Sequence, residues 1–118
     1  AGITALTSRI AGVEAFVGRT AAAHGLDIAI HSPFMGNSDH ANFIRAGIPA
    51  LRLCAGFGEP QSNMRLLLTP GDTPDKVTVH QLKEAATVAA ALLLAACTDA
   101  DPPAPPLDAA EIARATAD

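Results

Sequence analysis

At 118 residues the chain has room for one hydrophobic core and no second. Eight Lys and Arg against twelve Asp and Glu leave a net charge of -4, and the basic residues are scattered. That excludes the clustered cationic footprint of a nucleic-acid surface, so neither DNA nor RNA is an expected partner. The composition is 49% hydrophobic and 17% charged but only 3% aromatic, without Trp or Tyr, which describes an Ala/Leu-rich globular protein with a thin core. Cys54 and Cys97 lie far apart inside apolar runs and read as two buried thiols rather than a bridge or a metal site, although one disulfide would be compatible with export. No positively charged start precedes an apolar stretch, so no signal peptide is expected within the chain, and the compartment stays open. The longest apolar run, Val88 to Cys97, is shorter than the ~20 residues that span a bilayer, so it reads as a buried helix and no membrane partner is expected.

In chain order, Ile3, Leu6, Ile10, Val13 and Val17 recur at three- and four-residue steps, and this predicts a helix from Ile3 to His24 with Arg9, Glu14 and Arg19 away from its stripe. Gly25 is placed to cap that helix. The β-branched stretch from Leu26 to His31, stopped by Ser32-Pro33, predicts a short strand. Ser38 is expected to cap a short helix that begins at Asp39 and ends at Gly47. Ile48 to Ala55 is an apolar run bounded by Pro and Gly, which fits a strand buried in a mainly parallel sheet. Gly56 to Pro74, rich in Gly and Pro, predicts a long functional-type loop.

Thr78-Val79-His80-Gln81 has the spacing of a capping box, from which a helix should run to about Cys97 with Leu82, Ala86, Ala89, Leu92, Leu93 and Ala96 facing one side. Four prolines then interrupt residues 99–106, and Leu107 to Asp118 is expected to fray. Two short strands make a poor sheet by themselves. The expectation is therefore an α/β class: residues 1–98 as the C-terminal portion of a larger domain with a mainly parallel sheet covered by helices, and 99–118 as a Pro-rich flexible tail.

Two segments stand out for chemistry. One is Ser38-Asp39-His40-Ala41-Asn42-Phe43-Ile44-Arg45-Ala46-Gly47-Ile48-Pro49-Ala50, and the other is Leu67-Leu68-Thr69-Pro70-Gly71-Asp72-Thr73. Together they resemble the C-terminal signature of the family-28 zinc aminopeptidases, whose relatives include glutaminyl cyclase, glutamate carboxypeptidase and the transferrin receptor. In that family the text reads S-D-H-x-x-F-x-x-x-G-I-P-A and then Y-H-T-x-x-D-T. The resemblance covers roughly residues 26 to 97 and gives the same order of elements.

The resemblance implies a three-layer α/β domain, a peptide substrate bound by its N-terminus, and one or two zinc ions. Their ligands are His, Asp, Glu and Asp from earlier in the domain and a last His from Y-H-T. Zinc of this kind activates a water and polarises the scissile carbonyl, while a Glu moves the proton. In this chain Leu68 stands where the family's last His ligand stands, and leucine has no lone pair to offer. Before Ser38 the carboxylates are Glu14 and Asp27 and the histidines His24 and His31, in no H-x-D or E-E arrangement.

Zinc is thus expected in the parent family and not as a tight ligand of this chain. The resemblance gives Asp39 an outer-sphere role beside the catalytic groups, with its own helix start as the alternative. His40 is a further catalytic candidate or a local structural hydrogen bond. Ser38, Asp72 and Thr73 are placed at the substrate rim, against plain capping and turn roles. Asn63 and Gln61 are weak substitutes for the missing ligand. The expected partners are a peptide and the remainder of a catalytic domain, with no activity from this chain alone. The alternative function is a degenerate, non-catalytic homologue that serves binding or assembly.

Overall fold

The computed structural model describes residues 2–101 and 103–118. Its centre is a strand, β1 (Ile3–Leu6), not the first turns of a helix. A four-residue segment with three apolar residues fits helical and extended periods equally well, and the chain breaks directly after it. Ser8 and Arg9 both adopt left-handed backbone angles, φ 55° and 59°, which no helix could run through. Helix α1 (Ala11–His24) starts beyond that break, buries Val13, Phe16, Val17 and Thr20, and ends as expected at Gly25, whose N–H bonds the Ala21 carbonyl at φ 62°.

Strand β2 (Ile28–His31) lies where the sequence places it and runs parallel to β1, in register from Ile3 with Ile28 to Leu6 with His31. Strand β3 (Arg52–Ala55) flanks β1 on the other side and runs antiparallel, from Ile3 with Ala55 to Leu6 with Arg52. The result is a small mixed sheet of order β2-β1-β3. The antiparallel return corrects the reading of Ile48 to Ala55 as a parallel core strand. The six-residue helix α2 (His40–Arg45) is too short to cross back along the sheet; its main contacts are with the last helix, and β3 re-enters at the end where β1 stops. As an edge strand, β3 is half-buried at Arg52 and Leu53, buried at Cys54 and exposed at Ala55.

Alternation along the strands puts Ile3 and Ala5 of β1 on the face of Ile28 and Leu53. These pack with Val13, Phe16 and Val17 of α1 and with Val88 and Leu92 of helix α3 (Val79–Thr98) in one core. The capping box at the start of α3 forms as read: Thr78 Oγ1 accepts from the Gln81 N–H at 3.2 Å and Gln81 Oε1 accepts from the Thr78 N–H at 3.0 Å. The face was misread. Ala85, Val88, Leu92 and Ala95 meet the core, whereas Leu82, Ala86, Ala89, Leu93 and Ala96 are exposed, because a helix this rich in Ala and Leu carries more than one apolar stripe.

At 20 residues and a mean hydropathy of 1.2, α3 is by length and composition alone long and apolar enough to cross a membrane, and only 11% of it is buried. The long, buried run expected at Val88 to Cys97 is therefore mostly a surface helix, and Cys97 is exposed; Cys54 is buried, and both thiols are free.

Residues 107–118, expected to fray, form helix α4 (Ala109–Ala115) with a capping box of its own. Asp108 Oδ1 accepts from the Glu111 N–H and Glu111 Oε2 from the Asp108 N–H, both at 2.8 Å, a D-x-x-E pattern equivalent to Thr78 and Gln81. Ala115 is buried, and Arg9 Nη1 donates to the Ala117 carbonyl at 2.8 Å. The arm docks at Gly47, whose carbonyl accepts from the Leu107 N–H at 2.8 Å.

Gly47 sits at φ +83°, and a Cβ there would lie 3.1 Å from the Leu107 carbonyl oxygen. Gly47→Ala should therefore cost about 1–2 kcal/mol in urea unfolding from backbone strain and should speed exchange of the Leu107 amide; an unchanged midpoint would show that the arm does not depend on this contact.

Candidate functional site

The carboxyl end of β1 gathers polar side chains that are largely withdrawn from solvent. Glu14, in the first turn of α1, accepts two hydrogen bonds at one carboxylate oxygen, from Thr7 Oγ1 and from Ser32 Oγ, both at 2.7 Å. Thr7 follows β1 and Ser32 follows β2, so this carboxylate ties the ends of both parallel strands to the helix between them. The Thr7 N–H adds a bond to the His31 carbonyl at 3.0 Å. The His31 ring meets Phe57, which the loop after β3 brings to 4.7 Å between ring centroids. The sequence reading had set Glu14 on the outer side of a longer helix; once α1 starts at Ala11, an acid in the first turn, where the helix dipole favours it, is the signal that would have found it.

The S-D-H segment lies at the same end of the sheet. Asp39 occupies the cap position of α2, but no side chain caps the helix: the Ser38 and Asp39 carbonyls take the Ala41 and Asn42 N–H groups at 3.1 and 3.0 Å. The Ser38 cap is thus a backbone one, because Asp39 already holds helical angles, φ −62° and ψ −27°. Asp39 is exposed and Ser38 half-buried.

His40 is only 7% exposed, and neither ring nitrogen has a hydrogen-bond partner. Burial first, and the Arg52 guanidinium second, hold its pKa below the ordinary 6.5, so the ring is neutral at pH 7. Arg52 is itself held by a bond from its Nη1 to Asn37 Oδ1 at 3.2 Å. Ser8, in the strained turn after β1, also buries an unpartnered hydroxyl. Nothing in the spacing of Ser8, Asn37 or Arg52 marked them, because the fold alone brings Arg52 level with Leu6.

The second motif lies on another wall. A groove of about 300 Å³ runs between β3, the long loop and the start of α3, lined among others by Cys54, Met64, Leu67, Asp72, Lys76 and Leu82. Asp72 faces it, whereas Ser38, Asp39 and His40 are not among its lining residues. Asn63 Nδ2 donates to the Lys76 carbonyl at 2.9 Å and ties the loop across its base. Thr73 caps the next short turn by its backbone and donates its hydroxyl to Asp75, whose carboxyl the Lys76 and Thr73 bonds hold below its usual pKa. Leu68 is 94% exposed with φ +62°.

Among the described residues no three of His, Cys, Asp and Glu are grouped so that they could hold a metal ion, and Leu68 supplies no donor. No protein-family model, curated protein or solved structure matches the chain.

A pH experiment isolates His40. Its pKa is lower in the fold than in the unfolded chain. The unfolded chain therefore takes up the proton first as pH falls through 6.5, and the fold loses stability on the acid side. His40→Leu, which removes two unpartnered buried nitrogens, should be at least as stable as the wild type at pH 8 and more clearly so at pH 5; parallel urea midpoints at the two pH values would show that His40 contributes nothing to the acid sensitivity.

Proposed function

We propose that this chain is the C-terminal segment of a zinc-dependent, aminopeptidase-type peptidase of the family-28 kind. In the complete enzyme the sheet would extend into the mainly parallel, helix-covered domain that the resemblance implies. The segment contributes rim residues and not the metal ligands, and by itself it does not hydrolyse peptides. The observation that carries the reading is the ordered pair of motifs on matching elements: S-D-H at the start of α2, G-I-P-A in the turn into β3, and D-T ahead of α3.

The backbone at Leu68 adds support. A left-handed φ is several-fold more common for His, Asn and Asp than for other non-glycine residues, and a bulky side chain is an outlier there. A 94% exposed leucine gains no packing in return. The loop therefore has a shape that suits a histidine better than the residue it carries. On this reading the exposed carboxylates Asp39 and Asp72 contribute separately to the rim, and His40 lies at the start of α2 as a neutral, buried ring.

A second reading, a non-catalytic homologue used for binding or assembly, is favoured by the exposure of Leu67 and Leu68 together. The gene separates the two. An H-x-D, a further Asp, an adjacent Glu pair and another Asp encoded ahead of Ala1 support the peptidase, and their absence supports the binding protein.

The direct test has two arms. The 118-residue chain should release nothing from aminoacyl chromogenic substrates, and chelator-sensitive release would overturn the proposal. In the longer gene product, Leu68→His should fold as well as the parent and raise the zinc content measured by mass spectrometry; no gain of metal would remove Leu68 as a lost ligand position.

A further inference from the structure

The groove between β3, the long loop and the start of α3 has walls that its own hydrogen bonds hold in place. Ser62 Oγ donates to the Gly56 carbonyl at 2.8 Å and folds the loop back on itself. Asn63 Nδ2 fixes the loop to the Lys76 carbonyl, and Gln81 is engaged in the capping box of α3. Lys76 Nζ is paired with the Asp75 carboxylate. Each of these polar side chains lines the groove and has a partner in the fold. The exception is Asp72, an exposed carboxylate that lines the groove and forms no side-chain hydrogen bond or ion pair among the described residues.

Apolar groups make up the rest. Met64, Leu67, Val77, Leu82 and Ala85 surround the groove, and the buried, free thiol of Cys54 borders it from β3. Leu67 and Leu82 are left 48% and 59% exposed, so a molecule seated there gains the apolar area that the fold itself leaves in water. A volume of about 300 Å³ stands at the small end of the range for small-molecule sites, which pair an apolar lining with a few polar groups that fix orientation.

We infer that the groove binds a small organic ammonium, its apolar body against Leu67 and Leu82 and its charge at the Asp72 carboxylate. Charge selects this class. An anion meets Asp72 with like charge, and the one cation of the lining, Lys76, is taken by Asp75. A neutral body of the same shape gains the apolar contact alone, whereas an ammonium adds a charge-assisted hydrogen bond. Size selects within the class: the groove has room for one branched or aromatic body.

The site lies at a different end of the sheet from the S-D-H segment. Ala55, at the groove, pairs with Ile3 at the amino end of β1, whereas Arg52, whose charge acts on His40, pairs with Leu6 at the carboxyl end. The inference takes Asp72 from the second motif and nothing from the first, so it holds whether or not the complete gene product is a peptidase. An ammonium on an apolar body occurs in a free alkylamine and in the N-terminal residue of a peptide, two sources of one chemistry.

Titration of the isotope-labelled 118-residue chain with isoamylamine should shift the amide NMR signals of Leu67, Asp72 and Leu82, saturating with a dissociation constant of about 1 mM. Isoamyl alcohol and isocaproate, which carry the same body, should each bind about fivefold more weakly or worse. Asp72→Asn should weaken the amine by about fivefold and leave the alcohol unchanged, and Leu67→Ser should weaken both by about threefold or more. Both substitutions are at exposed positions, so the thermal midpoint should stay where it is. In a Cys97→Ser chain the amine should slow alkylation of Cys54 in proportion to occupancy, which places it in the groove. Leucinamide separates the sources: tighter binding than isoamylamine identifies a peptide N-terminus, and equal or weaker binding a free amine. An amine that shifts no signal at the groove, binds no better than the alcohol, keeps its affinity in Asp72→Asn or leaves Cys54 unprotected at saturation would overturn the proposal, and none of these results bears on the peptidase reading.

Discussion

A four-residue strand buried on both faces keeps its place only if neighbours on both sides meet its backbone N–H and C=O groups, since an unpaired buried polar group costs as much as a lost hydrogen bond. β1 is that strand: Ile3, Thr4, Ala5 and Leu6 are all buried, while β2 and β3 remain half-buried edges. The other elements answer to it. α1 and α3 cover the face that carries Ile3 and Ala5, the Glu14 carboxylate secures the strand's carboxyl end to that of β2, and β3 starts beside Leu6 because α2 leaves the chain there. The strained pair Ser8 and Arg9 is part of the same constraint, since the chain must turn sharply out of a buried strand into α1 without a glycine.

What could be read from the sequence was what is settled within a few residues. The Gly25 cap, the Thr78 and Gln81 box and the extended stretch around Ile28 depend on local backbone chemistry, and each stands where it was expected. What failed depended on distant partners. Ile3 to Leu6 carries no local sign of being central, and its extended form follows from pairing with residues 28–31 and 52–55. α4 was obscured by the prolines before it. Its Asp108 and Glu111 box was as legible as the one at Thr78, but the burial of Ala115 and the bond from Leu107 to Gly47 bring in residues some sixty positions away or more.

The candidate site divides the same way. The two motifs are local text and were visible, and so was the absence of a donor at Leu68. The environments of their side chains were not. His40 is neutral because the fold buries it beside Arg52, and Asp72 borders a groove because α3 lies across from the long loop. A motif's residue types survive in the text, whereas the electrostatics of His40 come from its burial and from Arg52, which no spacing connects to it.

The exposed stripe on α3 is the point at which local and tertiary information disagree, and such disagreements in natural chains tend to mark function. Large apolar patches are uncommon on monomeric surfaces, and this one is regular over the full length of the longest element. The sheet offers two further open surfaces, the outer edges of β2 and β3. Short edge strands are a recognised way of discouraging association, and with four residues each these present few backbone groups to a partner. The 20-residue α3 presents about five turns of side chains in fixed register.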